Sequence, residues 1–215
     1  MFYPFELEQY LEHLLPERDP LMVEMESRAL KETIPIVTPA VGNYLAQLIK
    51  MSKAKNCLEI GTAIGYSTLW LAKAIKENHG HITTIDLNYK RQKEALDYFA
   101  RAGLSDNITS LLGDARDILP ELKGGYDFIF VDGAKGEYQD YLDLILPKLV
   151  SGGVLVVDNV LFRGWVIPGA SFEAKYERMI GGLRDFLRQL CQNKEMDTSI
   201  LPFGDGLAIS IKKEK

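Results

Sequence analysis

The chain has 215 residues, 47% of them apolar, and a formal net charge of -5. That length suits one α/β core, and the composition excludes a mainly disordered chain. The acidic balance gives no global electrostatic case for nucleic acid, although a local basic rim around a pocket is compatible with it.

Two cysteines, Cys57 and Cys191, make a disulfide framework a poor reading, so a reducing, cytoplasmic compartment is expected. The opening "MFYPFELEQYLEHLLPERD" carries acids every few residues and has neither a basic leader nor a long apolar core. No uninterrupted apolar run approaches the roughly 20 residues that cross a bilayer, and no membrane association is expected.

In chain order, residues 2 to 33 read as one or two amphipathic helices broken near Pro16 and Pro20, with Leu7, Leu11, Leu14, Met22, Met25 and Ala29 at helical spacing. Thr38 and Pro39 then suit the cap and first turn of a helix running to Met51. From Asn56 the pattern alternates: "NCLEIG", "YSTLWLAKAIKE", "HITTID" and "YKRQKEALDYFARAG" follow βαβ grammar, and "NITSLLG", "YDFIFVD" and "GVLVVD" add three strands. A short helix near Asp117 and a longer one from Glu137 to Leu149 separate them. Five such strands predict an open parallel sheet with helices on both faces. A helix from Phe172 to Cys191 follows. "TSILPF" and "GLAISIKK" around a Gly-Asp-Gly turn then predict an antiparallel pair at the sheet edge, for a mostly parallel seven-stranded α/β sheet.

The loop "EIGTAIGYS" sets Glu59, Gly61 and Gly65 between the first parallel strand and its helix, where a nucleotide-like ligand lies over strand ends. The spacing is not that of the dinucleotide fingerprint, and a carboxylate at Glu59 would oppose a pyrophosphate. It suits a cationic or hydroxyl-rich ligand such as S-adenosylmethionine. Asp86 ends the second strand as an acceptor for ribose hydroxyls, and Asp114 after the third is placed for an adenine amino group. Tyr66 and Ser67 open the following helix beside the loop. The structural alternative makes these residues caps, turn formers and solvated loop acids.

"GVLVVDNVLFRG" ends a strand-forming run on Asp158 and Asn159, while "DFIFVDGAK" ends its neighbour on Asp132. Three oxygen ligands thus converge on one strand edge, a donor set for a hard cation such as Mg²⁺. With neither sulfur ligands nor a histidine pair in this set, zinc is disfavoured. The alternative reading has these three residues tying down loops. Lys135, three residues beyond Asp132, acts as a base, serves as an electrostatic aid, or is an exposed loop lysine.

"LEIGTAIGYST", "VDGAK" and "VVDNVLFRG" resemble the class I, Rossmann-like S-adenosylmethionine methyltransferases, in particular the cation-dependent O-methyltransferases of catechol and caffeoyl-CoA type. The resemblance spans Thr38 to the C-terminus. It implies one methyltransferase domain, with residues 1–37 a helical extension and 38–215 the catalytic core. It implies Mg²⁺ or Mn²⁺ on Asp132, Asp158 and Asn159, with Lys135 and Asp132 catalytic. It assigns the methyl donor to Glu59, Gly61, Gly65, Tyr66, Ser67, Asp86, Asp114, Ala115 and Asp132, and a homodimer is common in the group. Within it, "DNVLFRG" and "GDGLAISIKK" are similar to the bacterial tRNA 5-hydroxyuridine methyltransferases, which implies a tRNA anticodon loop as substrate. Arg163, Arg178 and Arg184 then become phosphate contacts, and Trp165 and Phe162 stacking platforms for an unstacked base. The basic residues also read as a solubilising helix face and the aromatics as core or dimer residues. The competing substrate is a small catechol or hydroxycinnamoyl-CoA, with Trp165 and the N-terminal helices narrowing the pocket. A nucleotide-binding regulator without turnover is the reading from a different class.

Overall fold

The computed structural model describes residues 5–214. Seven strands, β1 (Asn56–Ile60), β2 (His81–Asp86), β3 (Ile108–Leu112), β4 (Tyr126–Val131), β5 (Leu149–Val157), β6 (Met196–Leu201) and β7 (Leu207–Lys212), form one sheet in the order β3-β2-β1-β4-β5-β7-β6. The first five are parallel; β7 pairs antiparallel with both β5 and β6. The predicted α/β architecture and its antiparallel C-terminal pair are both present. The order reverses between β1 and β4, so the carboxyl ends of β1, β2, β4 and β5 open on a common crevice.

Central strands buried on both faces must be apolar throughout. "FIFV" at 128–131 and "VLVV" at 154–157 are, each residue being at most 8% exposed. One face is covered by α2 (Pro20–Glu32), α3 (Pro39–Ser52), α4 (Tyr66–Glu77) and α5 (Tyr89–Arg101), packing Met25, Leu45, Ile49, Leu69 and Phe99. The other is covered by α6 (Ala115–Glu121), α7 (Tyr138–Ile145) and α8 (Glu177–Gln192), packing Leu119, Tyr138, Leu183, Phe186 and Leu190. α1 (Phe5–His13) precedes them.

The N-terminal helices separate as Pro16 and Pro20 dictate, and Asp19 caps α2 by accepting from Leu21 N. α2 buries Met22, Met25 and Ala29 and is pinned to α4 and α5 by polar contacts: Glu26 accepts from the Tyr66 hydroxyl at 2.6 Å, Lys73 pairs with Asp19, and Arg28 pairs with Glu94. Thr38 accepts from Val41 N at the start of α3.

Two boundaries differ from the sequence reading. The helix expected over 137–149 ends at Ile145 in a 3-10 turn, Leu146–Lys148, because Pro147 has no N–H to continue it; Leu149 already belongs to β5. The helix expected from Phe172 starts at Glu177. Phe172 instead stacks on Trp165 with ring centroids 5.8 Å apart, which holds residues 172–173 outside the helix.

Candidate active site

A cavity of about 520 Å³ lies over the crevice and is lined by Gly61, Ser67, Asp86, Asp132, Lys135, Asp158 and Asn159 together with residues of α1, the segment before α3 and the β6–β7 turn. A second, of about 280 Å³, lies beyond it beside Asp114, Ala115 and Tyr141 and shares Gly61, Asp86, Asp132 and Gly133 with the first. Most of the sequence-predicted ligand residues therefore line one continuous depression.

The glycine turn is fixed by neighbours on every side. Gly61 N–H donates to Ile85 O, extending the β1–β2 pairing past the strand end. At φ +102°, a Cβ on Gly61 would stand 2.1 Å from Asp132 O, so only glycine admits β4 this close. Gly65, at φ +87°, meets Phe99 in the same way. Asp86 ties the turn to β2: one carboxylate oxygen accepts from Ala63 N and the other from Asn88 N, each at 2.7 Å. A carboxylate offers about four lone-pair sites, so two stay open toward the cavity.

Glu59 sits elsewhere. Its carboxylate is fully buried, lines neither cavity, and accepts from the hydroxyls of Ser67 (2.7 Å), Thr68 (2.5 Å) and Thr84 (2.6 Å). Thr84 has one proton and gives it to Glu59, so Thr62 is the donor in the 2.6 Å Thr62–Thr84 pair. Burial raises the Glu59 pKa to about 7 against the opposing effect of the three hydroxyls. This carboxylate locks the start of α4 under the turn, and of its partners only Ser67 lines the cavity. Tyr66 also lines it, with its hydroxyl turned away to Glu26.

In the second cavity Asp114 caps α6 through Arg116 N–H and is clasped by the Arg116 guanidinium, with Nη2 at 2.6 Å. That hydrogen bond holds the Asp114 pKa down to about 2. Arg116 also reaches Glu137 at 3.3 Å, closing the rim.

The opposite side is acidic. Asp132 N donates to Ile60 O and Asp158 N to Val131 O, so each residue continues its strand by one more pairing and the two carboxylates arrive side by side. Asp158 is 3% exposed. Desolvation raises both pKa values, and for Asp158 the neighbouring charge of Asp132 raises it further. Two carboxylates driven toward protonation by burial, Asp158 by its neighbour Asp132 as well, with an amide oxygen adjacent, form a donor set that a hard dication satisfies. Among the described residues, no group of three His, Cys, Asp or Glu is arranged as a metal site; the third donor here is Asn159. Asn159 adopts φ +56°, tolerated best by Asn among non-glycine residues, and its N–H donates to Asp158 Oδ1 at 2.6 Å.

This geometry also explains why the core strand stops at Asp158. Beyond it the chain turns under the β6–β7 turn: Val160 N donates to Gly206 O, Leu161 N to Asp205 O and Arg163 N to the Asp205 carboxylate. Phe162 and Arg163 both hold positive φ. Lys135 faces the resulting pocket, with Nζ 5.9 Å from the Phe162 ring centre. Asp205, half-buried on the cavity wall, was not singled out from the sequence; "GDG" reads there as a hairpin turn.

Of the basic residues expected to hold RNA, Arg184 and Arg163 are engaged within the fold. Arg184 donates to the carbonyls of Trp165, Val166 and Ile167, clamping a loop. Arg163 lies over the Trp165 ring at 5.4 Å, and Arg178 is exposed. Trp165 packs among Phe162, Phe172 and Tyr176.

The O-methyltransferase family matches residues 14–213. Among curated relatives, the catechol O-methyltransferase of Niastella koreensis is 33% identical over 96% of both chains, and the caffeoyl-CoA O-methyltransferase of Medicago sativa is 33% identical over 91% of this chain and 83% of its own. Among solved structures, the O-methyltransferase TomG of Streptomyces achromogenes, in complex with SAM, superposes with a TM-score of 0.86 at 26% identity, covering 97% of this chain and 96% of that one. The O-methyltransferase from Bacillus cereus, in complex with SAH, gives 0.86 at 28% identity over 97% of each.

These relatives overturn the expected likeness to tRNA 5-hydroxyuridine methyltransferases and the anticodon-loop substrate that went with it. The two curated relatives are by name catechol and caffeoyl-CoA enzymes, and of the residues offered as RNA contacts Arg184 is occupied by loop carbonyls and Arg163 and Trp165 by aromatic rings. No helix among the described residues is long and apolar enough to cross a membrane. With a family match over nearly its whole length and relatives aligned end to end, this chain belongs to the O-methyltransferase family and is an S-adenosylmethionine-dependent enzyme.

Proposed function

We propose that the enzyme methylates a hydroxyl of a small vicinal dihydroxyarene, of catechol or hydroxycinnamoyl-CoA type, with a divalent cation, Mg²⁺ or Mn²⁺, in the site. The observation that carries this reading is that Asp132, Asp158, Asn159 and Lys135 line the same cavity as the glycine turn. Asp132, Asp158 and Asn159 would hold the cation, which supplies a Lewis acid that lowers a hydroxyl pKa, while S-adenosylmethionine supplies the electrophilic methyl group. Gly61, Ser67 and Asp86 bind the donor's polar end and ribose; Asp114 and Ala115, in the adjoining cavity, flank its adenine. Lys135 receives the hydroxyl proton at Nζ or stabilises the oxyanion by its charge. Pro35, Ile36, Val37 and Phe203 form an apolar wall for an aromatic ring, and the Tyr44 edge packs on Phe203 with centroids 5.7 Å apart.

In the same reading residues 38–215 are the catalytic core and 1–37 a helical extension whose Leu11 and Glu12 reach the cavity. The exposed Tyr10, Leu11 and Leu14 of the N-terminal segment support a homodimer, and two free cysteines support a reducing, cytoplasmic setting. The test is product analysis by mass spectrometry after incubation with S-adenosylmethionine, Mg²⁺ and a panel of catechol and hydroxycinnamoyl-CoA substrates. A gain of one methyl on oxygen is expected; no methylated product across the panel would overturn the proposal.

A further inference from the structure

Among the described residues lining the main cavity, five are acidic and Lys135 is the one base. Three of the acids have a use in the reaction proposed above, Asp132 and Asp158 toward a cation and Asp86 toward the donor ribose. Glu12 and Asp205 have none. They belong to the substrate side, Glu12 on α1 and Asp205 on the β6–β7 turn, around the apolar wall that includes Phe203. Asp205 has given one oxygen to Arg163 N–H and is half-buried. The Arg163 guanidinium makes no ion pair with it, lying instead over the Phe162 and Trp165 rings outside the cavity wall, so that this guanidinium, like the N-terminal ammonium, acts on Asp205 only through its charge. Lys135 is shared between Asp132, Asp158 and Asp205, all of which feel its charge.

From this imbalance we infer that Asp205, seconded by Glu12, determines specificity by favouring dihydroxyarenes that carry an ammonium group over those that carry a carboxylate or phosphates. The inference rests on the catechol reading of the site. A cationic substituent compensates a partly desolvated carboxylate that forms no ion pair among the described residues, and an anionic one meets two like charges in a recessed wall. The multiply charged diphosphate of a CoA thioester is disfavoured on the same ground, so of the two substrate types the small catechol is the better fit.

The test compares kcat/KM for catechol, 3,4-dihydroxyphenethylamine and 3,4-dihydroxyphenylacetate, in the wild type and in Asp205→Asn. The amide keeps an oxygen to accept from Arg163 N–H and removes only the charge. The wild type is expected to favour the amine over the acid by at least about tenfold, and Asp205→Asn to narrow that ratio by about tenfold while neutral catechol changes by less than about threefold, the effect of one partly desolvated charge pair. Glu12→Gln narrows it less. A purely structural role would lower all three substrates together. Should Asp205→Asn fail to fold, the wild-type ratio still decides, since it must shrink as NaCl is raised. A wild type that favours the acid, or a ratio that neither Asp205→Asn nor salt alters, overturns the inference. Failure to methylate even neutral catechol would instead bring down the reading on which it rests.

Discussion

On the donor side of the cavity both oxygens of Glu59 and both of Asp86 accept hydrogen bonds from groups in β2, α4 or the loops beside them, and the glycine turn touches Asp132 so closely that no side chain fits between. Across the cavity, the wall made by α1, the segment after β5 and the β6–β7 turn is assembled largely from part-exposed loop residues, with three non-glycine residues at positive φ, and is tied by two backbone hydrogen bonds and one to the Asp205 carboxylate. One wall is preorganised by hydrogen bonds that fix Glu59 and Asp86 in place. The other is shaped by loops whose side chains can vary without disturbing the sheet. In the proposed reading the methyl donor lies on the first and substrate choice on the second, and each can be broken separately.

The largest effect is expected where the walls meet. Asp158→Asn keeps an acceptor for Asn159 N–H and removes one buried charge, and kcat in Mg²⁺ should fall on the order of a thousandfold with the fold intact by circular dichroism. Gly61→Ala attacks the donor wall alone. A Cβ 2.1 Å from Asp132 O at φ +102° must push β4 aside, so stability should drop by about 1–3 kcal/mol in urea unfolding and affinity for S-adenosylmethionine by at least about tenfold in calorimetry.

Glu59→Gln sharpens the same wall through pH. The folded pKa of Glu59, about 7, lies above its ordinary 4.5, so the folded state binds the proton more tightly. Its contribution to stability is complete below pH 4.5 and is lost as pH rises through 7. The stability difference between wild type and Glu59→Gln should therefore decline across that window by an amount on the order of 3 kcal/mol, read from urea unfolding at stepped pH. A flat difference would mean that the buried carboxylate does not titrate as its surroundings require. The smallest effect belongs to the clamp behind the substrate wall: Arg184→Lys loses the planar fork over three carbonyls and should cost about 1 kcal/mol, a few degrees in Tm, with kcat nearly unchanged.

What the sequence made legible follows from which signals are local. Alternating strand and helix patterns, and acids at the ends of consecutive strands, are fixed by periodicity, so the parallel sheet and the gathering of Asp132, Asp158 and Asn159 at one edge could be read before any contact was known. Glu59 was readable as an acid before a glycine turn, but its direction was not: whether it faces ligand or core depends on Thr84, from the neighbouring strand, and on the helix start at Ser67 and Thr68. Asp205 is 47 residues from Asp158 and joins the site only because β7 pairs antiparallel with β5, a long-range register that a Gly-Asp-Gly turn does not announce. The arginines misled for a related reason. A basic residue on a helix looks available for phosphate until the carbonyls it clamps are seen, as with Arg184.

The central claim is that a divalent cation seated on Asp132, Asp158 and Asn159 enables transfer of the methyl group to a catechol oxygen. Its most direct test is methyl transfer by enzyme stripped with EDTA and verified metal-free by mass spectrometry, then titrated with Mg²⁺. The account predicts that turnover disappears on stripping and returns with saturable Mg²⁺ dependence in the wild type but not in Asp158→Asn; undiminished turnover by the metal-free wild type would contradict it.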